Sequence, residues 1–279
     1  MNHVIVTAEI GCNHQGSIEI AKRMIREAKV CGCDYVKMQK RDIDSLPKEL
    51  GDKPYLGEHS FGATYREHRQ ALEFNEEQWK ELQSFAKSMD IGFFGTAFDL
   101  PSAEMLCRLK MPYLKIGSMQ CRDLEFLRSI ISIQNHPPLL ISTGMCDEDN
   151  VDTIIRDYLS PSKGDILIHT TSSYPCPENE VNLVYLRNMG RPGTLGLSGH
   201  YSAGNGAIEA AAVALGATYI ERHFTLDRTW KGTDQAVSLE PIGMMNVVKA
   251  IRTVEKALGD GIKRVMPSEE PIIKKLMCR

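Results

Sequence analysis

Eight short apolar runs rich in β-branched residues alternate along this chain with stretches of helical period. The runs are Val4–Glu9, Asp34–Gln39, Gly92–Thr96, Tyr113–Gly117, Leu139–Ser142, Asp165–Thr170, Thr194–Ser198 and Thr218–His223. Helices are expected between them at Ser17–Cys31, Asn75–Asp90, Ser102–Leu109, Leu124–Ile133, Asp147–Tyr158, Val181–Asn188, Ala203–Leu215 and Pro241–Leu258. A short, nearly continuous apolar run suits a strand covered on both faces, and parallel strands need a crossover of helical length. Eight such units in series predict an α/β chain closed into a (β/α)8 TIM barrel, one domain over residues 1–260; an open doubly wound sheet is the competing arrangement. Local signals mark helix starts. Asn75 with Gln78 forms a capping-box pattern, and Pro241 suits a first helical turn.

Composition narrows the function classes. At 279 residues, with 42% hydrophobic and 25% charged residues, the chain is long enough for a sizeable core. A net charge of −3 provides no basic footprint for nucleic acid. No apolar run approaches a membrane span, and Met1-Asn2-His3-Val4 runs straight into a strand, so the chain reads as cytoplasmic. The eight cysteines are scattered, and Cys31-Gly32-Cys33 has neither zinc-knuckle nor redox-motif spacing; reduced, mostly buried thiols are expected. Residues 40–74 exceed an ordinary βα loop and are rich in Gly, Pro, Tyr and charge, which marks a functional segment on the active-site face. Residues 261–279 read as a polar tail.

Barrel strands converge at their carboxyl ends, so the residues there form the candidate site. They are Glu9, with Asn13 and His14 following; Lys37 and Gln39; Thr96 and Asp99; Lys115, Ser118 and Gln120; Ser142-Thr143-Gly144; His169, Thr170, Ser172, Ser173 and Tyr174; Ser198 and His200; and Glu221 and His223, with Asp234 in the next loop. Two lysines inside apolar strands need a partner for their charge, either an anionic ligand or structural ion pairs. His200 and His223, at the ends of successive strands, suit a divalent metal with an open coordination position. His14 and His169 stay open between ligand and core imidazole. No thiolates cluster with them, which argues against closed structural zinc.

Together, Ala8-Glu9-Ile10-Gly11-Cys12-Asn13-His14-Gln15-Gly16, Tyr35-Val36-Lys37-Met38-Gln39, Leu114-Lys115-Ile116-Gly117-Ser118, Ile141-Ser142-Thr143-Gly144-Met145, Thr170-Thr171-Ser172-Ser173-Tyr174-Pro175 and Ile220-Glu221-Arg222-His223-Phe224-Thr225-Leu226-Asp227 resemble the sialic acid synthase family. The resemblance covers the whole barrel. It implies condensation of phosphoenolpyruvate (PEP) with the aldehyde of an amino sugar such as N-acetylmannosamine, giving a nine-carbon 2-keto acid and phosphate. Carried over by position, Lys37, Thr96, Lys115, Ser118, Ser142 and Ser198 hold PEP, with Gln39 beside it. His200 and His223 hold Mn2+, with Mg2+ or Co2+ as alternatives. Glu9, Tyr174 and Asp234 face the acceptor or the attacking water, and Glu9, Lys37, Lys115 and Asp234 form the catalytic set. Gln120 stands on the acceptor side, where the family often has an acid; Gly199 and Gln235 likewise replace a usual Asp and His.

The family usually continues into a C-terminal antifreeze-like domain that reaches across a homodimer. This sequence stops where the linker would begin. Three other readings compete. A phosphorylated or deoxy aldose as acceptor would call on Arg41, Arg66 or Arg69. A metal-free Schiff-base aldolase would use Lys115 or Lys37. A non-catalytic binding barrel is the third. The apolar faces at Ala207–Leu215 and Met244–Ile251 suit either a dimer or packing onto the barrel.

Overall fold

The computed structural model describes residues 3–189 and 195–277. Thr194, the first residue of the seventh expected strand, lies outside them, as do Met1, Asn2, Cys278 and Arg279. Eight parallel strands close into a barrel in chain order. They are β1 (Ile5–Gly11), β2 (Tyr35–Lys40), β3 (Gly92–Ala97), β4 (Leu114–Ile116), β5 (Leu139–Ser142), β6 (Ile166–Thr170), β7 (Leu195–Gly199) and β8 (Tyr219–His223). The open doubly wound alternative is excluded by the β1–β8 pairing, in which Glu9 sits beside His223.

The outer ring comprises α1 (Ile18–Val30), α4 (Glu76–Ser88), α5 (Leu100–Arg108), α6 (Leu124–Ser132), α7 (Glu148–Asp157), α8 (Leu183–Asn188), α9 (Ala207–Ala214) and α10 (Pro241–Ala257). The residues before the first turns satisfy free amides there. Ser17 accepts from Ile20, and Asn75 with Gln78 closes the expected capping box on α4. Two helices start later than their periodicity indicates. The chain crosses a 3-10 turn at Glu178–Glu180 before α8, and Gly206 in a left-handed conformation precedes α9.

Residues 40–74 are not a bare loop. They carry α2 (Lys48–Gly51) and α3 (Tyr65–Leu72). The polar tail carries α11 (Glu270–Met277), with Ile272, Ile273 and Leu276 exposed. No described helix is long and apolar enough to cross a membrane.

Side chains divide by strand parity. Val6, Ala8, Ile10, Val36, Met38, Leu114 and Ile116 are buried in the hydrophobic core with the helices' inner faces, among them Trp79 and Leu82 of α4. The faces of α9 and α10 pack against each other, and Met244, Val247 and Ile251 are buried. The opposite parity fills the barrel. At its floor Tyr35, Phe94 and Tyr113 meet with ring centroids 5.4–5.7 Å apart. Lys37 and Lys115 lie above this aromatic floor at 2% and 4% exposure, so their charges must be met from within the barrel.

Candidate active site

Glu9 neighbours Lys37 across β1–β2, Thr96 neighbours Lys115 across β3–β4, and Ser198 neighbours Glu221 across β7–β8. The register therefore sets cations and carboxylates in one layer. Lys37 Nζ lies 2.5 Å from Glu9 Oε2 and donates to Thr96 Oγ1 at 2.6 Å. Lys115 Nζ reaches Glu221 Oε1 at 2.5 Å, and Lys37 stands 3.6 Å from the same oxygen. The other Glu221 oxygen accepts from Tyr219 OH at 2.6 Å. Burial works to raise the Glu221 pKa, but Lys115 and Lys37 outweigh it and hold the carboxyl below its usual range. Burial lowers the Lys115 pKa, and Lys37 adds to that against the pull of Glu221. The two lysines and two carboxylates balance formally. Removing one member of such a buried set leaves an uncompensated charge and costs about 3–5 kcal/mol.

A β-bulge between Glu9 and Gly11 aims this layer at the cavity above it. Gly11 has φ +55°, and a Cβ there would crowd Gln39 and Glu9 at 3.1 and 3.2 Å. Gln39 donates to Glu9 Oε1 at 3.0 Å. The cavity has a volume of about 350 Å³, and it is lined by every residue that the family resemblance assigned to PEP, the metal, the acceptor or catalysis, except Gln120. One wall is a cradle of hydroxyls. Gly144 packs so tightly that a Cβ would overlap the hydroxyls of Ser118 and Ser172. Ser142 and Ser198 line the same cavity.

In the same cavity the rings of His200 and His223 stand 5.3 Å apart. His200 Nδ1 lies 2.9 Å from Thr171 O, which as a carbonyl only accepts, so Nε2 is left with the lone pair; it faces Tyr174 OH at 3.0 Å. Burial and the neighbouring His223 push the His200 pKa down to about 3, keeping the imidazole neutral. His223 Nδ1 is buried without a hydrogen-bond partner, 3.7 Å from Asp234 Oδ2. One imidazole oriented by a backbone carbonyl and a second with an orphaned buried nitrogen fit a divalent ion with a carboxylate nearby. Among the described residues no group of three or more His, Cys, Asp or Glu converges to hold an ion, so the two histidines would leave coordination positions open.

A family model described as the NeuB family matches residues 24–263. The N-acetylneuraminate-9-phosphate synthase of Mus musculus is 38% identical over 97% of this chain and 76% of its own length. The N,N'-diacetyllegionaminic acid synthase of Legionella pneumophila is 35% identical over 96% of this chain and 76% of its own length. A crystal structure of an N-acetylneuraminic acid synthetase from Leptospira borgpetersenii superposes with a TM-score of 0.81 at 28% identity, covering 100% of this chain and 94% of that one. The chain belongs to the NeuB family. It is an enzyme of the synthase type.

The NeuB barrel also holds two residues to which sequence reasoning gave no role, Glu221 and Ser172, and brings Arg41 and Arg69, two of the three arginines named for a phosphorylated acceptor, to the cavity. Glu221 pairs both lysines, and its signal was its spacing: two residues before His223 on one strand, it must face the same side. Ser172 has a buried hydroxyl without a partner in the cradle, a position set by a loop that no periodicity reveals. Arg41 and Arg69 line the cavity. Arg41 lies over the Phe98 ring, 3.5 Å from its centroid, and donates to Gln39 at 2.9 Å. Arg69 donates to Tyr65 OH at 2.9 Å and has no carboxylate within 4 Å among the described residues.

Arg66 instead holds the Ile43 and Leu46 carbonyls at 2.5 and 2.9 Å and does not reach the cavity. Gln120 does not line this cavity. The tight turn in which Gln120 and Cys121 both bond back to Gly117 sends Ser118 inward and Gln120 into an adjoining cavity of about 190 Å³ under the insertion. His14 and His169 stay out of the site. His14 is buried against Phe74 at 4.4 Å, and His169 Nε2 bonds the Val181 carbonyl at 2.7 Å.

Proposed function

We propose that this chain condenses PEP with the aldehyde of an amino-sugar-type aldose, giving a nonulosonic 2-keto acid and phosphate. The observation that carries the reading is that one small cavity is lined together by two buried lysines, a set of hydroxyls and the pair His200 and His223. Lys37 and Lys115, with Thr96, Ser118, Ser142, Ser172 and Ser198, supply donors for a small trianion in a site shielded from water, where such contacts are strong. Gln39 lies beside it.

His200 and His223 would hold the divalent ion, Mn2+ with Mg2+ or Co2+ as alternatives; when bound it supplies Lewis-acid polarisation of the acceptor aldehyde. Carbon 3 of PEP attacks that aldehyde carbon, and positive character grows at PEP carbon 2, next to Glu9. Water adds there and gives its proton to Glu9, whose charge Lys37 holds in place. The bond between carbon 2 and the phosphate oxygen then breaks, the carbon 2 hydroxyl gives its proton to the departing phosphate and becomes the ketone, and the proton held by Glu9 passes to the alkoxide left on the former aldehyde carbon. Tyr174 and Asp234 border the acceptor.

Arg69, a part-buried guanidinium without a carboxylate within 4 Å among the described residues, favours an acceptor that carries a phosphate, and Arg41, 4.0 Å from Glu73, lines the cavity beside it. The 9-phosphate synthase among the relatives supports the same choice. A Schiff-base aldolase is disfavoured because both lysines already face carboxylates.

Phosphate release from PEP is measured with Mn2+ against paired hexosamines with and without a 6-phosphate, each with an EDTA control. Release that needs metal and prefers the phosphorylated sugar supports the reading. Arg69→Met should then raise KM for that sugar at least ~10-fold, the order expected for one charge-assisted contact, and leave KM for PEP within twofold. No release with any sugar would refute the condensation. Equal KM for the two acceptors would remove the phosphate from the reading.

A further inference from the structure

Two thiols lie behind the hydroxyl cradle. Cys121 closes the turn after β4 and Cys146 follows the turn after β5, with Sγ atoms 3.2 Å apart. Both are free, and neither enters the chemistry above. Cys121 is fully buried, and its sulfur rests 3.1 Å from the Ser118 carbonyl and 3.6 Å from the Gly144 carbonyl, the backbone of two cradle residues. Cys146 is half-buried and borders a separate cavity with Thr143 and Tyr185, so a small oxidant meets it first.

We propose that Cys121 and Cys146 form a disulfide on exposure to a peroxide, and that this bond weakens binding of a phosphate-bearing ligand in the cradle. The Cys146 thiolate attacks a peroxide oxygen, and the O–O bond breaks. The first water leaves and a sulfenic acid remains on Cys146. Cys121 sulfur then attacks that sulfur and the S–S bond forms. The hydroxyl departs with the Cys121 proton as the second water. Two thiols are oxidised and one peroxide is reduced. Exposure assigns the roles: Cys146 is the thiol that a peroxide reaches, with Arg122 nearby to favour its thiolate, and Cys121 is buried behind it.

A disulfide requires the sulfurs about 2.05 Å apart, so they must move together by roughly 1 Å. The Cys121 sulfur shifts against the Ser118 and Gly144 carbonyls on which it rests, and Gly144 stands so close to the Ser118 and Ser172 hydroxyls that a Cβ would not fit. The shift is therefore passed to the hydroxyls facing the cavity. This second half of the proposal rests on the cradle holding PEP.

The test uses the intact protein, reduced and then treated with hydrogen peroxide. Peptide mapping should find a Cys121–Cys146 cross-linked peptide lighter by two hydrogens. Calorimetry with PEP in the presence of Mn2+ should show a Kd at least ~10-fold higher after oxidation, about 1.4 kcal/mol, restored by dithiothreitol. Cys146→Ser should match the reduced protein and ignore peroxide. Cys121→Ala should stop at a Cys146 sulfenic acid that a dimedone probe traps. No cross-link, or a cross-link with unchanged Kd, overturns the proposal. So does a Cys146→Ser protein that still loses affinity on oxidation. A reduced protein that does not bind PEP overturns the cradle reading and the affinity half with it, while the cross-link is scored separately.

Discussion

Glu221 shows how one carboxylate decides the chemistry of a barrel interior. Its oxygens meet Lys115, Tyr219 and Ser198, and Lys37 stands close by. Glu221→Gln keeps the shape and removes the charge, so it should destabilise the fold by about 3 kcal/mol in urea unfolding; a loss under ~1 kcal/mol would mean the lysines are satisfied elsewhere. Gly144→Ala places a methyl among the cradle hydroxyls and should raise KM for PEP at least ~10-fold, because overpacking a tight site costs about 1–3 kcal/mol. An unchanged KM would show that PEP does not use this wall. The residues at strand ends were legible because parity and burial dictate their direction. Lys37, Lys115, His200 and His223 all reach the cavity on that logic. Gln120 and Ser172 were not, since turns rather than strands orient them.

At the scale of elements, the strands were readable because each is short, apolar and covered on both faces, and the long helices because their caps are local. The helices within residues 40–74 were hidden. They are four and eight residues long, below the length at which periodicity speaks. α3 depends on a capping box between Thr64 and Glu67 and on contacts with its own neighbours. Thr64→Ala should cost about 1 kcal/mol and speed amide exchange in α3. Because Arg69 rides on α3, KM for the acceptor should rise while KM for PEP stays put. Equal effects on both substrates would contradict this division of labour.

Across the whole molecule, several buried histidines resist protonation. Burial lowers His14 to about 3 and His200 to about 3, and burial with Arg69 and Arg41 lowers His68 to about 4, from an ordinary value of 6.5. Below about 6.5 the unfolded chain takes up protons that the fold refuses, so stability falls as pH drops, by up to about 1.4 kcal/mol per pH unit for each such histidine. Glu221, held low in the fold, acts in the same direction at lower pH: its contribution is present above the ordinary carboxylate range and lost on further acidification. Urea midpoints in EDTA should decline from about pH 6.5 downward. A flat profile to pH 4.5 would be inconsistent with these environments.

The segment bearing Arg41 and Arg69 closes around an aromatic knot of its own. Tyr55 and His68 meet tilted, with ring centroids 4.4 Å apart, and Tyr65 and Phe61 lie alongside. The lysines and serines that line the same cavity belong to the strands and short turns of the barrel. Most of the pocket is therefore written in the scaffold, while two of its cations ride on an inserted cassette. Exchange of that cassette between related barrels offers a route by which such a scaffold changes the charge at one edge of its pocket without disturbing the lysines and serines.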